Sequence, residues 1–271
     1  MSRKRITITI KEDMLTQIDR MVDGLHIRSR SQAFEYLLSK ILSDYKLRQA
    51  LILAGGPKKE IMIEKLPKFI ADIKSKTLIE RIIDSIANYN VSNFMIYTDS
   101  FSNQIIENVR NKKMPYNIDY LIGEKPTGTL EPLLKIKHKI NDTLLVAYGD
   151  TITSINLNEM LEFHKKSKSI ATIALTTVSN PKEHGVAMLE GDKVKTFFQK
   201  PTKEIPSYLI NAGYFLFEPE IFKYIGRDMK SLEKDLLPKL ANKGLLYGYP
   251  FQGIYLNVNS KADLEKARLI L

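Results

Sequence analysis

The stretch Leu51–Glu60, LILAGGPKKE, is the most informative part of this 271-residue chain. Its first four residues are apolar and are typical of a buried strand. Gly55 and Gly56 follow, and glycine lets the backbone turn and come close to a ligand. A glycine-rich loop at the end of a strand often binds phosphate through its backbone N–H groups. Here the loop continues as PKKE without an arginine, so its capacity to hold phosphate is the first question.

Strands and helices alternate after this loop. Apolar runs such as NFMIYTD and TLLVAYGD are separated by amphipathic segments such as KTLIERIIDSIANY. This alternation predicts an α/β fold, a Rossmann-like domain with a mostly parallel sheet flanked by helices. Ligands of such sheets bind beyond the carboxyl ends of the strands. We therefore expect Ala54–Gly56, Gly123–Gly128 and Gly149–Asp150 at that edge.

The N-terminal segment Lys4–Ile10, KRITITI, alternates between isoleucine and polar residues. Such alternation predicts a strand with the isoleucines on one side and Arg5, Thr7 and Thr9 on the other. A lone strand leaves its backbone groups without partners. We therefore expect it to pair with the same strand of a second chain, which gives an antiparallel ribbon and makes a homodimer the minimum assembly. A higher oligomer stays open.

Two helices are predicted after this strand. Apolar residues recur at helical spacing in Glu12–Asp23, and Gly24 is a typical helix stop. Ser29, followed three residues later by Gln32, is a capping box that begins a second amphipathic helix.

A strand, a helix, a turn and a helix in this order resemble the ribbon-helix-helix DNA-binding domain over residues 3–46. The resemblance implies that the paired strands enter the major groove of double-stranded DNA, with Arg5, Thr7 and Thr9 against base edges. It also implies a phosphate contact at the start of the second helix, near Arg30 and Ser31. The alternative is a dimerisation ribbon that touches no DNA.

The charge of the chain favours a polyanionic partner, although a basic surface also serves solubility. The formal net charge is +10, and the first 50 residues carry ten Lys and Arg against six Asp and Glu. The chain has no cysteine, which excludes disulfides and thiolate chemistry. No apolar run reaches the roughly 18–20 residues of a membrane span. We therefore expect a cytoplasmic protein without a membrane partner.

Residues 49–271 carry a long series of motifs. In order they are LILAGG, PKF, PTGTL, YGD, HGV, FFQKP, NAGYFLFEPEIF, LEKDLLPKLANKG and LYGYPFQGIYLNVNS. The series resembles the sugar-phosphate nucleotidyltransferases, the family of the glucose-1-phosphate thymidylyltransferases. In active members a sugar 1-phosphate attacks the α-phosphate of a nucleoside triphosphate, and pyrophosphate leaves.

The resemblance implies a set of residues that bind the nucleotide and the sugar phosphate. The glycine-rich segment would line the nucleotide, the PTGTL glycine would let the base approach the backbone, and the FFQKP lysine would contact the phosphates of the sugar. In chain order the implied residues are Leu53, Ala54, Gly55, Gly56, Gly128, Gly185, Gln199, Lys200 and Asn211.

The first departure from the family pattern lies in the glycine-rich loop. The family continues its glycines with Gly-Thr-Arg, and the corresponding residues here are Lys58, Lys59 and Glu60. A guanidinium is thus replaced by an acid, and lysine lacks the bidentate geometry of arginine. Gln199 stands where the family has a glutamate that contacts the sugar.

The second departure concerns the metal. Asp150 corresponds to a carboxylate that holds Mg²⁺, but the second carboxylate is replaced by Asn257, which offers an oxygen without the charge. No catalytic set is therefore intact. Lys68 and Lys200 would act in catalysis, and Mg²⁺ would be a cofactor, only in an active site.

The sequence therefore favours a regulator of transcription with two domains. Residues 1–46 would read an operator, and residues 47–271 would form a nucleotidyltransferase-like domain that senses a nucleotide or sugar nucleotide without catalysis. One alternative is an active sugar-1-phosphate nucleotidyltransferase that dimerises through the N-terminal domain. The other is an architectural or partition-type DNA-binding protein.

Overall fold

The computed structural model describes residues 7–24, 27–42, 45–203 and 207–271. The chain divides into two compact units, Met1–Lys46 and Leu47–Leu271. Within the described ranges, no helix has the length and apolar character needed to cross a membrane.

Unit 1 contains two helices, α1 (Glu12–Met21) and α2 (Arg30–Leu42). Both were predicted from their apolar periodicity. Ser29 Oγ accepts a hydrogen bond from the Gln32 N–H at 3.2 Å, as expected at the start of the second helix. Arg30 donates from Nε and Nη2 to the two carboxylate oxygens of Asp19, at 2.6 and 2.8 Å. This paired guanidinium joins the two helices.

Within the described residues, the structure shows no strand of the ribbon that sequence analysis predicted before α1. Arg5 lies outside the described residues, and residues 7–10 do not form a strand within the single chain. Thr7 and Thr9 are exposed there. Ser31 is exposed at the first turn of α2, where backbone N–H groups were expected to hold a phosphate, and the Arg30 side chain there is bound to Asp19. The described residues of unit 1 thus show two helices, and the ribbon-helix-helix arrangement, which needs a second chain, is not shown.

Unit 2 is built on a large sheet, with three small two-stranded sheets beside it. Its strands, in chain order, are β1 (Gln49–Leu53), β2 (Met62–Ile63), β3 (Leu66–Pro67), β4 (Asp72–Ile73), β5 (Lys76–Thr77), β6 (Asn93–Thr98), β7 (Asn117–Ile122), β8 (Leu144–Tyr148), β9 (Thr151–Thr153), β10 (Ala171–Thr177), β11 (Gly185–Glu190), β12 (Lys193–Gln199), β13 (Leu209–Phe217), β14 (Leu246–Pro250) and β15 (Tyr255–Asn257).

The helices of unit 2 cover both faces of the large sheet. In chain order they are α3 (Lys58–Ile61), α4 (Leu78–Ala87), α5 (Ser102–Asn111), α6 (Glu131–Ile136), α7 (Leu157–Lys166), α8 (Leu237–Asn242) and α9 (Lys261–Ile270).

The large sheet is mixed, which corrects the prediction of a mostly parallel sheet. Its strand order is β10-β14-β12-β11-β13-β8-β1-β6-β7. The half formed by β8, β1, β6 and β7 is parallel throughout. In the other half β13 pairs antiparallel with β8, β10 and β11, and the extra β10–β13 pairing partly closes that end. The long hydrophobic runs after β9 indicated strands but carried no information on their direction.

The core lies in two layers, one on each face of the large sheet. On β1, Ala50 and Ile52 face one layer together with α4, α5, α7 and α9, whereas Leu51 and Leu53 face the other with α6 and α8. This alternation follows from the period of two along a strand. Burial of both faces explains why β1 reads as a continuous apolar run.

A buried polar network closes the end of the sheet opposite the carboxyl ends of β1 and β8. His164 is fully buried, and its Nε2 lies 2.9 Å from Glu218 Oε1. Lys165 and Thr143 also donate to this oxygen, at 2.7 and 2.9 Å. Burial alone would raise the pKa of Glu218, but the hydrogen bonds from His164, Lys165 and Thr143 outweigh it and lower the pKa to about 2. The ionised carboxylate therefore stabilises the folded state.

We expect the free energy of unfolding of Glu218→Gln to fall less between neutral and acidic pH than that of the wild type. The native pKa of about 2 is below the reference value of 4.5. The ionised carboxylate thus contributes fully above the unfolded pKa, and its contribution is lost as the pH falls towards the native value. It amounts to about 3 kcal/mol at neutral pH, of which roughly 2 kcal/mol is lost by about pH 3.

Urea unfolding of wild type and variant at neutral and acidic pH measures this difference. Glu220→Gln, a change at an exposed glutamate nearby, is the control. Equal acid sensitivity of wild type and Glu218→Gln would contradict the assignment.

Candidate active site

The candidate site lies where β1, β6 and β8 end. These strands are parallel and adjacent, and Leu53 of β1 is in register with Tyr97 of β6 and Tyr148 of β8. The residues that follow the strands, Ala54–Gly56, Asp99 and Asp150, therefore meet at one edge of the sheet. The alternation of strands and helices predicted this edge as the ligand side.

A cavity of about 360 Å³ opens at this edge. The structure brings Leu53, Gly55, Gly56 and Gly128 together in its wall, as the resemblance implied, while Ala54 is fully buried behind it. The wall also contains several acids. Its lining residues are Leu53, Gly55, Gly56, Pro57, Glu60, Tyr97, Asp99, Pro126, Gly128, Thr129, Pro132, Ser231, Glu233 and Lys234.

The glycine-rich loop is held by Asp99. Asp99 Oδ1 accepts a hydrogen bond from the Gly56 N–H at 2.8 Å and a second, short one from the Ser100 N–H. The Gly56 amide, which could have bound a phosphate, thus already donates to a carboxylate. Pro57 has no N–H to offer. Neither Gly56 nor Pro57 therefore offers a free backbone N–H to a phosphate.

The residues in place of the family's Gly-Thr-Arg begin the short helix α3. Lys58 and Lys59 are exposed, and Lys58 Nζ lies 5.6 Å from the ring centroid of Phe101. Glu60 lines the cavity. The positive charge of this loop therefore lies at the rim of the cavity and the negative charge lies in its wall.

Glu233 joins three segments around the cavity. It lies in a π-helical turn, Leu232–Leu236, and is almost fully buried. Its Oε2 accepts hydrogen bonds from Thr129 Oγ1 at 2.9 Å and from Ser231 Oγ at 2.6 Å, and its Oε1 accepts from the hydroxyl of Tyr148. Burial and the Glu233 carboxylate raise the pKa of the Tyr148 hydroxyl well above its usual value, so the hydroxyl stays a donor.

Gly128 packs directly on the backbone beside this network. Its φ is +119°, which L side chains rarely adopt, and a Cβ there would overlap the carbonyl oxygen of Lys230. The neighbouring Leu130 N–H donates to the same Lys230 oxygen at 3.0 Å. Only glycine fits at position 128, because any side chain would overlap the backbone at Lys230.

Lys68 and Asp150 form a buried ion pair next to the cavity. Lys68 Nζ lies 2.6 Å from Asp150 Oδ2 and donates to Asn259 Oδ1 at 2.5 Å. Asn259 Nδ2 in turn donates to Asn257 Oδ1 at 2.6 Å. We call these four residues, Asp150, Lys68, Asn259 and Asn257, the ammonium chain. The two ends meet because Thr151 pairs with Asn257 in the small sheet of β9 and β15.

The ammonium chain does not fit a site for Mg²⁺ held by the protein alone. Asp150 is its one carboxylate, and a cation already lies against it. Asn257 provides a neutral oxygen that accepts from Asn259. Mg²⁺ prefers carboxylate ligands in octahedral geometry. No group of three or more His, Cys, Asp or Glu that could hold a metal occurs in the described part of the chain.

The residues implied for the sugar phosphate lie on neighbouring strands. Gly185 and Gln199 face each other across β11 and β12, and a Cβ at Gly185 would meet the Gln199 Oε1 at 2.8 Å. Lys200 follows with a strained φ of +45°, and its N–H donates to the His184 carbonyl at 2.9 Å. Asn211 is nearly buried on β13, and its Oδ1 accepts from the Gly213 N–H.

Tyr255 links this group to the ammonium chain. Its hydroxyl lies 3.4 Å from His184 Nδ1. Burial raises its pKa to about 12, while the nearby Asn257 acts in the opposite direction. Burial also lowers the pKa of His184, which favours the neutral ring at neutral pH. Tyr255 thus contacts both His184 on the sugar side and Asn257 of the ammonium chain.

Sequence analysis missed four residues of the site, namely Asp99, Thr129, Glu233 and Asn259. Each stands in a motif that was recognised, because Asp99 ends NFMIYTD and the others lie in PTGTL, LEKD and YLNVNS. An acid directly after a strand of the parallel half was the available signal for Asp99. Nothing local indicates that Glu233 reaches a threonine more than a hundred residues away.

Comparison with protein-family models decides which family has this arrangement. Residues 49–257 match the family described as Nucleotidyl transferase. The chain belongs to this family. The matched range includes the cavity, the sugar-side residues and the ammonium chain as far as Asn257.

Relatives and solved structures agree with the nucleotidyl transferase assignment. Mannose-1-phosphate guanyltransferase of Yarrowia lipolytica is 29% identical over 225 residues, which cover 79% of this chain and 61% of the relative. Mannose-1-phosphate guanylyltransferase catalytic subunit beta of Danio rerio is 26% identical, over 79% of this chain and 62% of the relative. The chain therefore spans about three-fifths of the length of these relatives.

The fold is also found in a crystal structure of HddC from Yersinia pseudotuberculosis complexed with GMP-PN. It has a TM-score of 0.70 and 20% identity, and the match covers 82% of this chain and 99% of that chain. At this identity the likeness shows the fold alone.

These findings overturn the interpretation of the chain as a DNA-binding regulator of transcription. The relatives are guanyltransferases, and the matched residues make up most of the chain. Nothing in the comparisons indicates DNA binding by this nucleotidyl transferase. The alternative that sequence analysis kept open, an active sugar-1-phosphate nucleotidyltransferase, is the better supported one. The interpretation was wrong because it gave more weight to lost charges than to the preserved series of motifs.

We expect Gly128→Ala to destabilise the nucleotidyl transferase unit more than Gly191→Ala does. Both glycines have positive φ, +119° and +59°, so both substitutions strain the backbone. A Cβ at Gly191 meets nothing within 4 Å, whereas one at Gly128 meets the Lys230 carbonyl. Backbone strain of this kind costs on the order of 1–3 kcal/mol, and only Gly128→Ala adds an overlap. Urea unfolding measures both, and equal losses would contradict the close packing of the loop.

Proposed function

We propose that this chain transfers a nucleotidyl group from a nucleoside triphosphate to a sugar 1-phosphate. The family match and the contacts that join the three groups of residues, those of the cavity, the ammonium chain and the sugar side, support this proposal. Tyr255 connects the ammonium chain with the sugar-side residues through Asn257 and His184. Tyr148 connects the cavity with the ammonium chain, since its hydroxyl donates to Glu233 in the cavity wall while Asp150 follows two residues later.

The cavity suits the base and the ribose of a nucleotide. Its volume of about 360 Å³ is within the usual range of small-molecule sites. Glu60, Asp99 and Glu233 provide acceptors for N–H and O–H groups, and because they outnumber the one basic lining residue, Lys234, the wall as a whole would repel phosphates. The triphosphate therefore extends out of the cavity towards Lys68 and the exposed Lys58 and Lys59.

The sugar side offers acceptors and a cation. Gln199 Oε1 is buried and has no hydrogen-bond partner among the described residues, so a hydroxyl of the sugar would satisfy it. Lys200 stands next to it and would hold the phosphate of the sugar 1-phosphate. The close approach of Gly185 to Gln199 leaves no space for a side chain at position 185.

The reaction is an in-line displacement at the α-phosphorus. A phosphate oxygen of the sugar 1-phosphate forms the new bond to that atom, and the bond to the oxygen that bridges to the β-phosphate breaks, so pyrophosphate leaves with both electrons. Lys68 and Lys200 stabilise the charge on the transferring group. Because each missing charge-stabilising group costs on the order of 3–4 kcal/mol, we expect slower turnover than in a site that keeps the arginine.

The remaining predictions concern the setting of this activity. Homodimerisation through unit 1 stays a prediction. A cytoplasmic location also stays a prediction, and a nucleoside triphosphate substrate agrees with it. GTP and mannose 1-phosphate are the first pair to test, because the relatives are guanyltransferases that act on mannose 1-phosphate.

The purified chain, incubated with GTP and mannose 1-phosphate, is expected to form GDP-mannose and pyrophosphate. Mass spectrometry measures the formation of GDP-mannose. Lys200→Gln removes the cation from the sugar phosphate and should lower the rate on the order of 10²-fold. Lys203→Gln, a change at an exposed lysine three residues further on, is the matched control and should leave it unchanged. A panel of other triphosphates and sugar 1-phosphates extends the test. Absence of product from every pair would contradict the proposed function.

A further inference from the structure

The ammonium chain places a cation of the protein where the family resemblance implies a metal. Lys68 follows Pro67 in a 3-10 turn, and its side chain is only 6% exposed. Asp150 lies at the end of β8, and its backbone oxygen accepts from the Val258 N–H at 2.9 Å. This bond holds the segment after β15 against Asp150. The two side chains that hold the ammonium, Asp150 and Asn259, therefore lie on segments that this backbone hydrogen bond joins.

The hydrogen bonds of Lys68 account for its burial. Burying a charge is costly unless the charge is paired and hydrogen-bonded. Asp150 supplies the opposite charge at 2.6 Å, and Asn259 supplies an acceptor at 2.5 Å. An ammonium has three N–H groups. Beside these two partners, the ammonium lies 5.7 Å from the ring centroid of the buried Phe69, a cation–π contact that also favours the charged form.

The charge of the ammonium chain is balanced without a metal. Asp150 carries one negative charge, Lys68 carries one positive charge, and Asn257 and Asn259 are neutral. Thr151 Oγ1 lies 3.0 Å from Asp150 Oδ1, so both carboxylate oxygens have partners. A divalent cation at Asp150 would lie against the ammonium and leave two positive charges uncompensated. An aspartate at position 257 would change this balance, but the chain has asparagine there.

We infer that Lys68 is a built-in cation that takes the place of a protein-held divalent ion at Asp150. This exclusion of the metal does not depend on the proposed function. A divalent ion would then enter the site only together with the triphosphate. Asn257 and Lys68 act together. Because Asn257 is neutral, the only negative charge of the ammonium chain is that of Asp150, and Lys68 already neutralises it.

Binding of Mn²⁺ alone tests the exclusion, by electron paramagnetic resonance of the free ion and without nucleotide or sugar phosphate. The wild-type chain should take up no Mn²⁺ at Asp150. The double variant Lys68→Met with Asn257→Asp removes the ammonium and supplies a second carboxylate, and it should bind Mn²⁺ at least about tenfold more tightly. Asn257→Asp alone keeps Lys68 and is the matched control, with uptake well below that of the double variant.

Two outcomes would overturn the inference. One is uptake of Mn²⁺ by the wild type that is lost in Asp150→Asn. The other is a folded double variant, verified by circular dichroism, that binds no better than the wild type. Because no substrate is present, a chain that proved inactive as a transferase would still give a clear result.

A measurement on the wild type keeps the test independent of how the variants fold. Mn²⁺ broadens amide signals of nearby residues in nuclear magnetic resonance spectra. The amides of Thr151 and Val258, which flank Asp150, should keep their line widths when Mn²⁺ is added. Selective broadening of these two signals would show a metal at Asp150 and refute the built-in cation.

Discussion

Parallel pairing of β1 with β6 and β8 is the constraint on which the candidate site depends. The backbone continues this pairing past the strand ends, since the Ala54 N–H donates to the Tyr97 carbonyl and the Gly149 N–H donates to the Leu53 carbonyl, both at 2.8 Å. The loops that follow β1, β6 and β8 are thereby held side by side at the same edge of the sheet. The glycine-rich loop can then be held by Asp99, and Asp150 can meet Lys68. Without this alignment the cavity and the ammonium chain would have no common edge.

The sequence predicted the scaffold of the site better than its contacts. Apolar runs and glycines at strand ends predicted that Gly55 and Gly128 lie at the ligand edge, because burial and backbone freedom depend mainly on local sequence, whereas Leu53 was implied by the family resemblance. The capping of Gly56 by Asp99 and the reach of Glu233 to Thr129 depend on tertiary structure. Strand direction was equally beyond the local pattern, which explains why the antiparallel half of the sheet was not foreseen. At the N-terminus, alternation predicted a strand, but a strand forms only where a partner strand lies beside it.

The distribution of charge along the edge explains how the chain can keep a transferase surface without the arginine and the second metal carboxylate. Acids lie in the cavity wall, where they can accept from a base and a ribose. One lysine, Lys234, also lines the wall, and the other cations lie outside it, at Lys68, Lys200 and the rim lysines Lys58 and Lys59. Lys68 neutralises Asp150, and Asn257 removes the acid that would otherwise demand a further cation. The asparagine at position 257 and the ion pair of Lys68 with Asp150 are thus compatible with each other, because the pair is already neutral without a second carboxylate.

The most direct test of this account is hydrogen exchange of the wild-type chain with and without a nonhydrolysable GTP analogue, followed peptide by peptide. Nucleotide binding in the cavity predicts slower exchange in residues 53–56 and 126–130, the two segments that would surround the base and ribose, and unchanged exchange in α1 and α2. Unchanged exchange in both segments, or protection confined to residues 7–42, would contradict it.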